Sequence, residues 1–222
     1  MNSYTEENYL KAIYKLEEKK GKGKITTTAI AEIVDTAPAS VTDMLKKLSD
    51  KKLIHYEKYQ GVSLTGSGKK IAIAIIRKHR LWELFLVEKL NFKWDEVHDI
   101  AEQLEHIISE RLIEHLDRFL NYPKYDPHGD PIPDMNGNMH LQKSIPLSET
   151  NEKEKVIITG VIDHTPIFLQ HIERMGLSLG KEIKIQEKFS YDQSFHILIK
   201  PDKSITHISN DVAKNILVST KK

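Results

Sequence analysis

The sequence predicts an α+β protein, with mainly helices and one β-hairpin over residues 1–120 and short β-strands over residues 147–222. Three observations support this fold class. Apolar residues recur at helical spacing in the first part, five of the eight prolines fall within 121–146, and β-branched runs separated by turn residues fill the last part. Helices and strands that occupy separate stretches of a chain are typical of an α+β fold.

The composition is that of a globular protein and excludes several functions. Apolar residues make up 39% of the 222 residues and charged residues 29%, which is ordinary for a globular chain. The absence of cysteine excludes disulfides, iron–sulfur clusters and thiolate metal sites. The longest aliphatic run, Ile71 to Ile76, is too short to span a bilayer. Because the N-terminus is acidic and polar, unlike a secretion signal, we expect a cytoplasmic protein.

The net charge of +1 conceals an uneven distribution. Residues 1–90 carry 17 Lys and Arg against 11 Asp and Glu, a net charge of +6. Residues 91–222 carry 16 against 21, a net charge of −5. A basic N-terminal half suits a surface that binds the phosphates of DNA.

Residues 5–64 predict three helices followed by a β-hairpin. An apolar stripe that includes Leu10 and Ile13 predicts a helix over 5–18, and a shorter helix follows over 27–34. Pro38 suits the first turn of a third helix over 38–50, and residues 53–64 predict two strands joined near Gln60-Gly61. Helix, helix, turn, helix and hairpin in this order is typical of a winged helix-turn-helix.

The third helix and its neighbours supply the predicted DNA contacts. Ser40 and Thr42 can reach base edges, and Pro38 and Ala39 can meet thymine methyl groups. Other residues are better placed for phosphates, which set affinity rather than sequence preference. These residues are Thr26, Thr27, Thr28, Lys46, Lys47, Lys58 and Tyr59.

Two longer helical segments follow the hairpin, over 69–90 and 95–120. The second segment is apolar enough to pack across a dimer axis, so we expect a homodimer. The last part carries five β-rich runs and a short helix over 166–174, which together predict a small five-stranded β-barrel. The predicted domains are a winged helix-turn-helix over 1–72, a helical domain over 73–125, a Pro-rich linker over 126–147 and the barrel over 148–222.

Imidazole and carboxylate side chains share one face of each longer helical segment. His79 and Glu83 are four residues apart, and from His98 the same groups recur at +4, +7 and +8, namely Glu102, Glu105 and His106. Nitrogen and oxygen ligands without sulfur suit Mn²⁺, Fe²⁺ and similar ions. Spacing alone leaves open that these side chains merely face solvent. Because no HExxH, G-x-S-x-G, phosphate-binding glycine loop or dinucleotide fingerprint is present, we predict that the protein is not an enzyme.

Several ordered motifs resemble one known family. TEENYLKAIYKLEE, RKHRLWELFLVEKL, VHDIAEQLEHIIS and DPHGDPIP are similar to segments of the diphtheria toxin repressor family of metal-dependent regulators, which includes the manganese transport regulators. The resemblance covers nearly the whole chain. It implies a winged helix-turn-helix, a helical dimerisation and metal-binding domain, and a C-terminal SH3-like barrel that also resembles small proteins of ferrous-iron transport.

The resemblance also implies the metal ligands by position. One site would use Asn8, Glu102, Glu105 and His106, and another would use His79, Glu83 and His98. Glu102 stands where iron-responsive members have Cys, which favours Mn²⁺, with Fe²⁺ as the alternative. Two positions depart from the pattern: Asn8 replaces Met or Asp, and Lys11 replaces the acid of manganese regulators, which argues against their closely spaced two-manganese cluster. Gln170 is a further candidate ligand from the barrel.

The sequence therefore predicts a repressor whose recognition helices are fixed for operator DNA when metal binds. Two alternatives remain open at this point. One is a winged-helix regulator that senses an organic ligand, and the other is a metalloenzyme that uses the same carboxylate and imidazole groups.

Overall fold

The computed structural model describes residues 2–20, 24–57, 60–201 and 204–220. The helices in these ranges are α1 (Tyr4–Lys20), α2 (Thr27–Ile33), α3 (Pro38–Asp50), α4 (Gly66–Leu90), α5 (His98–Leu104), α6 (Glu110–Phe119), α7 (Pro166–Arg174) and α8 (Asn210–Lys214). The strands are β1 (Ile54–Glu57), β2 (Gly61–Leu64), β3 (Ile145–Pro146), β4 (Lys155–Val161), β5 (Glu182–Lys188), β6 (Phe195–Ile199), β7 (Ser204–Ile208) and β8 (Ile216–Thr220). Within the described ranges, no helix is both long and apolar enough to cross a membrane.

Two compact units make up the chain. The first unit comprises residues 1–79, 103–113 and 133–138. The second unit comprises residues 80–102, 114–132 and 139–222.

The winged helix-turn-helix lies in the first unit and confirms the prediction from sequence. Ser3 and Glu6 form a capping box at the start of α1, because each side chain accepts a hydrogen bond from the other residue's backbone N–H. Thr26 caps α2 in a similar way through the Ala29 N–H, and Pro38 opens α3. Strands β1 and β2 pair in antiparallel register, with Ile54 opposite Leu64, and form the wing.

The helical segment predicted over 95–120 is two helices, α5 and α6, rather than one. Helix α5 ends at Leu104, so Glu105 and His106 lie in a turn in which both side chains are buried. The Ser109 hydroxyl then accepts a hydrogen bond from the Leu112 N–H at the start of α6. The break in the helix thus coincides with two predicted metal ligands.

The C-terminal part of the second unit is a six-stranded antiparallel sheet in the order β3-β8-β4-β5-β6-β7. The five predicted strands are all present, and the two-residue strand β3 is added at the edge beside β8. Alternate residues of β4, β5, β6 and β8 are buried, which is the period-2 pattern of a half-buried strand. Phe168, Leu169 and Ile172 of α7 pack into the same core.

A tight loop over residues 126–130 packs against β4 in the second unit. The Val161 N–H donates a 3.0 Å hydrogen bond to the His128 carbonyl oxygen, beside the β-bulge of β4 at Gly160. Gly129 has φ +91°, and a Cβ atom there would lie 2.2 Å from the Thr159 carbonyl oxygen. Only glycine permits this close approach, which fixes the position of the neighbouring His128.

Candidate metal centre and DNA-binding surface

Predicted metal ligands occur in both units. The first unit holds Asn8, His79, Glu105 and His106, and the second unit holds Glu83, His98 and Glu102. The assignment of these seven residues to two ion sites remains a prediction.

Glu105 is the centre of the group in the first unit, and its side chain is 0% exposed. Both of its carboxylate oxygens accept hydrogen bonds from the Lys11 ammonium, at 2.6 and 2.8 Å. His79 Nδ1 lies 2.7 Å from Glu105 Oε2 and shares the same carboxylate. A buried carboxylate needs such partners, because desolvation of an unpaired charge is costly.

His106 is held by two residues of α1. Its Nδ1 atom lies 2.7 Å from Glu7 Oε2, and its ring stacks on Tyr4 with centroids 4.6 Å apart. When Nδ1–H donates to Glu7, the lone pair of the neutral ring is on Nε2, which lies 3.8 Å from Glu105 Oε1. A carboxylate that orients an imidazole in this way is the usual support of a metal-binding histidine.

Asn8 adds an amide oxygen on the same helix. Its Oδ1 atom is buried and has no hydrogen-bond partner among the residues that the structure describes. A buried acceptor without a partner is uncommon and points to a missing ion or donor. We call Glu7, Asn8, Lys11, His79, Glu105 and His106 the Glu105 cluster.

In the second unit, His98 lies between two of the predicted ligands. Its Nδ1 atom is 3.5 Å from Glu83 Oε1, and its Nε2 atom is 3.6 Å from Glu102 Oε1. Gln170, the candidate from the C-terminal domain, donates a 2.6 Å hydrogen bond to Asp95 Oδ2.

A second buried group comprises Glu83, Asp126 and His128, which we call the Glu83 cluster. One ligand atom from each residue lies within 4.8 Å of the others, and all three residues are buried. His128 Nδ1 is 3.6 Å from Glu83 Oε2, and Nε2 is 2.8 Å from the Trp94 carbonyl oxygen. Asp126 and His128 were not among the candidate ligands predicted from the sequence. Their signal was the DPHGDPIP motif, which lies in a loop where helical periodicity carries no information.

Burial and charge shift two pKa values in the Glu83 cluster. Burial lowers the pKa of His128, but the Glu83 carboxylate, then Asp126 and the Trp94 carbonyl, outweigh it and raise this pKa to about 9. Burial first, then the charges of Asp130 and Glu83, raise the pKa of Asp126 to about 7. Glu83 and Asp126 are buried carboxyl groups whose negative charges repel each other. A bound cation would stabilise the ionised form of both.

Both clusters offer the donors that a divalent ion of the Mn²⁺ or Fe²⁺ type requires. Their ligand atoms are carboxylate oxygens, an amide oxygen and imidazole nitrogens, without sulfur. The unpartnered Asn8 oxygen and the crowded carboxylates of the Glu83 cluster each fit such an ion.

Helix α3 is the recognition helix of the winged helix-turn-helix, and part of its predicted DNA-binding surface is exposed to solvent. Pro38, Ala39 and Ser40 are exposed at the start of α3. The hydroxyl of Thr42 donates to the Pro38 carbonyl oxygen at 3.1 Å and is therefore engaged within the helix. Thr27 is half-buried in the first turn of α2.

Two predicted phosphate-binding lysines of α3 are exposed but already form ion pairs. Lys46 lies 3.1 Å from Asp43, and Lys47 lies 3.1 Å from Glu6. Lys58 and Tyr59 lie outside the described residues. All the assignments of DNA contacts remain predictions.

A winged helix-turn-helix in one chain with buried carboxylate–imidazole clusters defines a metal-responsive DNA-binding protein. Comparison with known protein families supports this class of protein. Residues 1–62 match the N-terminal DNA-binding domain of iron-dependent repressors, and residues 65–134 match their metal-binding and dimerisation domain. Residues 145–220 match the FeoA domain. The chain belongs to the iron-dependent repressor family, also known as the diphtheria toxin repressor family, whose members are metal-dependent transcriptional repressors.

Similar proteins include both manganese and iron regulators. The chain is 39% identical over 120 residues to the HTH-type transcriptional regulator MntR of Oceanobacillus iheyensis, covering 54% of this chain and 80% of MntR. It is 38% identical over 130 residues to the iron-dependent repressor IdeR of Mycobacterium bovis, covering 58% of this chain and 55% of IdeR. A solved manganese-dependent transcriptional repressor in complex with manganese superposes with a TM-score of 0.87 at 30% identity, covering 97% of this chain and 100% of that chain.

Proposed function

We propose that this chain is a homodimeric transcriptional repressor that binds operator DNA when a divalent cation occupies its buried clusters. Mn²⁺ is the proposed ion, with Fe²⁺ as the alternative. The observation that carries the proposal is the Glu105 cluster, in which α1 of the DNA-binding domain brings Lys11 to Glu105 and Glu7 to His106. A cation at this place links the position of α1 to metal supply.

In the first unit, Asn8, Glu105 and His106 would hold the ion. When bound, the cation supplies a positive charge that draws together an amide oxygen, a carboxylate and an imidazole. Glu7 keeps His106 in the tautomer that presents Nε2, and Tyr4 covers the face of the same ring. The sequence resemblance assigns Glu102 to the site of Glu105 and His106, and it assigns His79 to the other site, with Glu83 and His98; both assignments remain predictions.

In the second unit, Glu83, Asp126 and His128 would hold a cation. Their burial and their mutual distances of no more than 4.8 Å support this assignment. Arg80 lies 3.7 Å from Asp126 and hydrogen-bonds to Asp130 and the Pro131 carbonyl, so the loop that carries Asp126 and His128 is fixed. His98 lies close to Glu83 and remains a candidate ligand.

The second unit also exposes apolar side chains that suit a homodimer. Phe119 is 63% exposed although it packs on Phe85, whose ring centroid is 6.2 Å away. Leu90 and Tyr122 are also exposed, at 51% and 61%. Large apolar side chains that remain this exposed are candidates for a protein–protein interface. Two copies would then present two α3 helices to consecutive half-sites of one operator.

Selection of DNA in the presence and absence of metal tests the proposal. Random-sequence duplexes are selected with the full chain in buffer containing Mn²⁺, and the enriched duplex is then titrated with and without chelator. We expect a two-fold symmetric sequence whose binding requires Mn²⁺ or Fe²⁺. If chelator leaves binding of the enriched duplex unchanged, the proposed metal dependence is wrong. If no sequence is enriched with either ion, the proposed DNA-binding function is wrong.

A further inference from the structure

The ammonium group of Lys11 is hydrogen-bonded to the carboxylate of Glu105, which the proposed metal site requires as a ligand. Lys11 Nζ donates to both oxygens of Glu105, at 2.6 and 2.8 Å, and the two side chains are 7% and 0% exposed. This pair joins residues 94 positions apart in the sequence. Removal of either charge would leave the other with less compensation in a buried place.

We propose that Lys11 is a built-in counter-cation that neutralises Glu105 in the metal-free protein and leaves this carboxylate when a divalent cation binds. The inference rests on the proposed function, because it concerns the regulation of the same site. An ammonium and a divalent ion on one buried carboxylate would repel each other strongly, since screening by water is weak there. The carboxylate therefore exchanges one cation for the other.

Asn8 supplies the other half of this exchange. Asn8 and Lys11 are three residues apart on α1 and therefore lie on one side of the helix. In this structure Lys11 is bound to Glu105, whereas the buried Asn8 Oδ1 has no hydrogen-bond partner among the described residues. With the ion present, the link between α1 and Glu105 passes from Lys11 to Asn8, about one turn closer to the N-terminus of the helix.

Competition from Lys11 sets how much metal the protein needs. Because the ion must displace a bidentate ammonium, the wild-type protein binds Mn²⁺ more weakly than a chain in which Glu105 is free of this lysine. Lys11 thus raises the threshold concentration of the response, and it acts as an affinity-determining residue without being a ligand.

Calorimetric titration of the metal-free chain with Mn²⁺ tests the inference. The variant Lys11→Met keeps an unbranched side chain of similar length but removes its charge. Lys19→Met, which removes an exposed charge of α1, is the matched control. We expect Lys11→Met to bind Mn²⁺ at least tenfold more tightly than wild type, and Lys19→Met to bind it as wild type does. Lys11→Gln, which keeps a hydrogen-bond donor, provides a second variant with the same expected direction. Affinity that is unchanged or weaker in the folded Lys11 variants overturns the proposal.

Lysine acetylation of the wild-type chain tests the exchange without any substitution. In metal-free protein, Lys11 is expected to react more slowly than Lys19, and Mn²⁺ is expected to speed labelling of Lys11 alone. Labelling of Lys11 that Mn²⁺ leaves unchanged or slows also overturns the exchange. Failure of the proposed function can be distinguished from failure of this inference. A wild-type chain that binds neither Mn²⁺ nor DNA contradicts the proposed function. A chain that binds both but shows no effect of Lys11 contradicts only this inference.

Discussion

Glu6 is a buried carboxylate whose charge links α1 to the recognition helix. Its Oε1 atom lies 3.1 Å from Lys47 and 2.8 Å from Lys51, and Oε2 accepts from the Ser3 N–H. Burial opposes its ionisation, but the hydrogen bonds from Lys51, Ser3 and Lys47 outweigh burial and lower the pKa of Glu6 from 4.5 to about 2. The charge therefore stabilises the fold above pH 4.5, and this contribution is lost as the pH falls towards 2.

The variant Glu6→Gln is expected to lower the free energy of unfolding at pH 7 by about 1–2 kcal/mol, since the partly exposed lysines are screened by water. At pH 3 about half of this difference should remain. Urea unfolding of both proteins at the two pH values measures it, and Glu18→Gln on the exposed part of α1 is the control. An equal difference at both pH values would contradict the assignment of the pKa.

We expect Glu7 to affect metal binding through its hydrogen bond with His106 rather than as a ligand. Without its carboxylate, the imidazole loses the acceptor that fixes Nδ1–H and leaves Nε2 free. Glu7→Ala is expected to weaken Mn²⁺ binding about tenfold, which is typical when the support of a metal-binding histidine is removed. Titration calorimetry measures the loss, with Glu18→Ala as control. Wild-type affinity in Glu7→Ala would show that Glu7 does not position His106.

The loop over 126–130 depends on one glycine, Gly129. In Gly129→Ala the new methyl group would lie 2.2 Å from the Thr159 carbonyl oxygen, and φ is +91°. We expect a loss of at least about 2 kcal/mol in the free energy of unfolding. Gly176→Ala also has positive φ, at +75°, but no atom within 4 Å, so it should lose only about 1 kcal/mol. Equal losses in thermal unfolding would mean that close packing on β4 is not the cause.

Most elements were predictable because they follow a regular period. The three N-terminal helices and the five longer strands of the C-terminal sheet lie where helical spacing and period-2 alternation place them. The break between α5 and α6 was missed, because Glu105 and His106 continue the helical spacing of His98 while their side chains are buried in a turn. Strand β3 is two residues long, too short for any pattern to show.

The candidate metal sites were predictable only in part, because periodicity in the sequence reports on residues of helices and strands but not on residues of loops. His79, Glu83, Glu105 and His106, which the sequence proposed as ligands, are all buried, whereas their spacing alone left open that they face solvent. Asp126 and His128 lie in a loop, where neighbours are set by tertiary packing on β4 rather than by sequence distance. The partner of Glu105 was not predictable either, since Lys11 is 94 residues away in the sequence.

We expect the exposed apolar side chains of the second unit, Leu90, Phe119 and Tyr122, to be covered in a dimer. Phe119→Glu replaces an aromatic ring that is 63% exposed with a charge and should shift the protein from dimer to monomer at micromolar concentration. Tyr191→Glu is the matched control, because Tyr191 is fully exposed at 100% in the C-terminal part. Sedimentation velocity measures the shift. A Phe119→Glu chain that remains dimeric would place the interface elsewhere.

We propose that a cation at the Glu105 cluster controls DNA binding. Fluorescence anisotropy with a duplex selected by the wild-type chain, titrated with Mn²⁺, tests it in wild type, Glu105→Ala and the control Glu18→Ala. We expect Mn²⁺ to raise the DNA affinity of wild type and control about 10- to 100-fold, whereas Glu105→Ala stays folded and dimeric but does not respond. If Glu105→Ala responds to Mn²⁺ as wild type does, a cation at the Glu105 cluster does not control DNA binding.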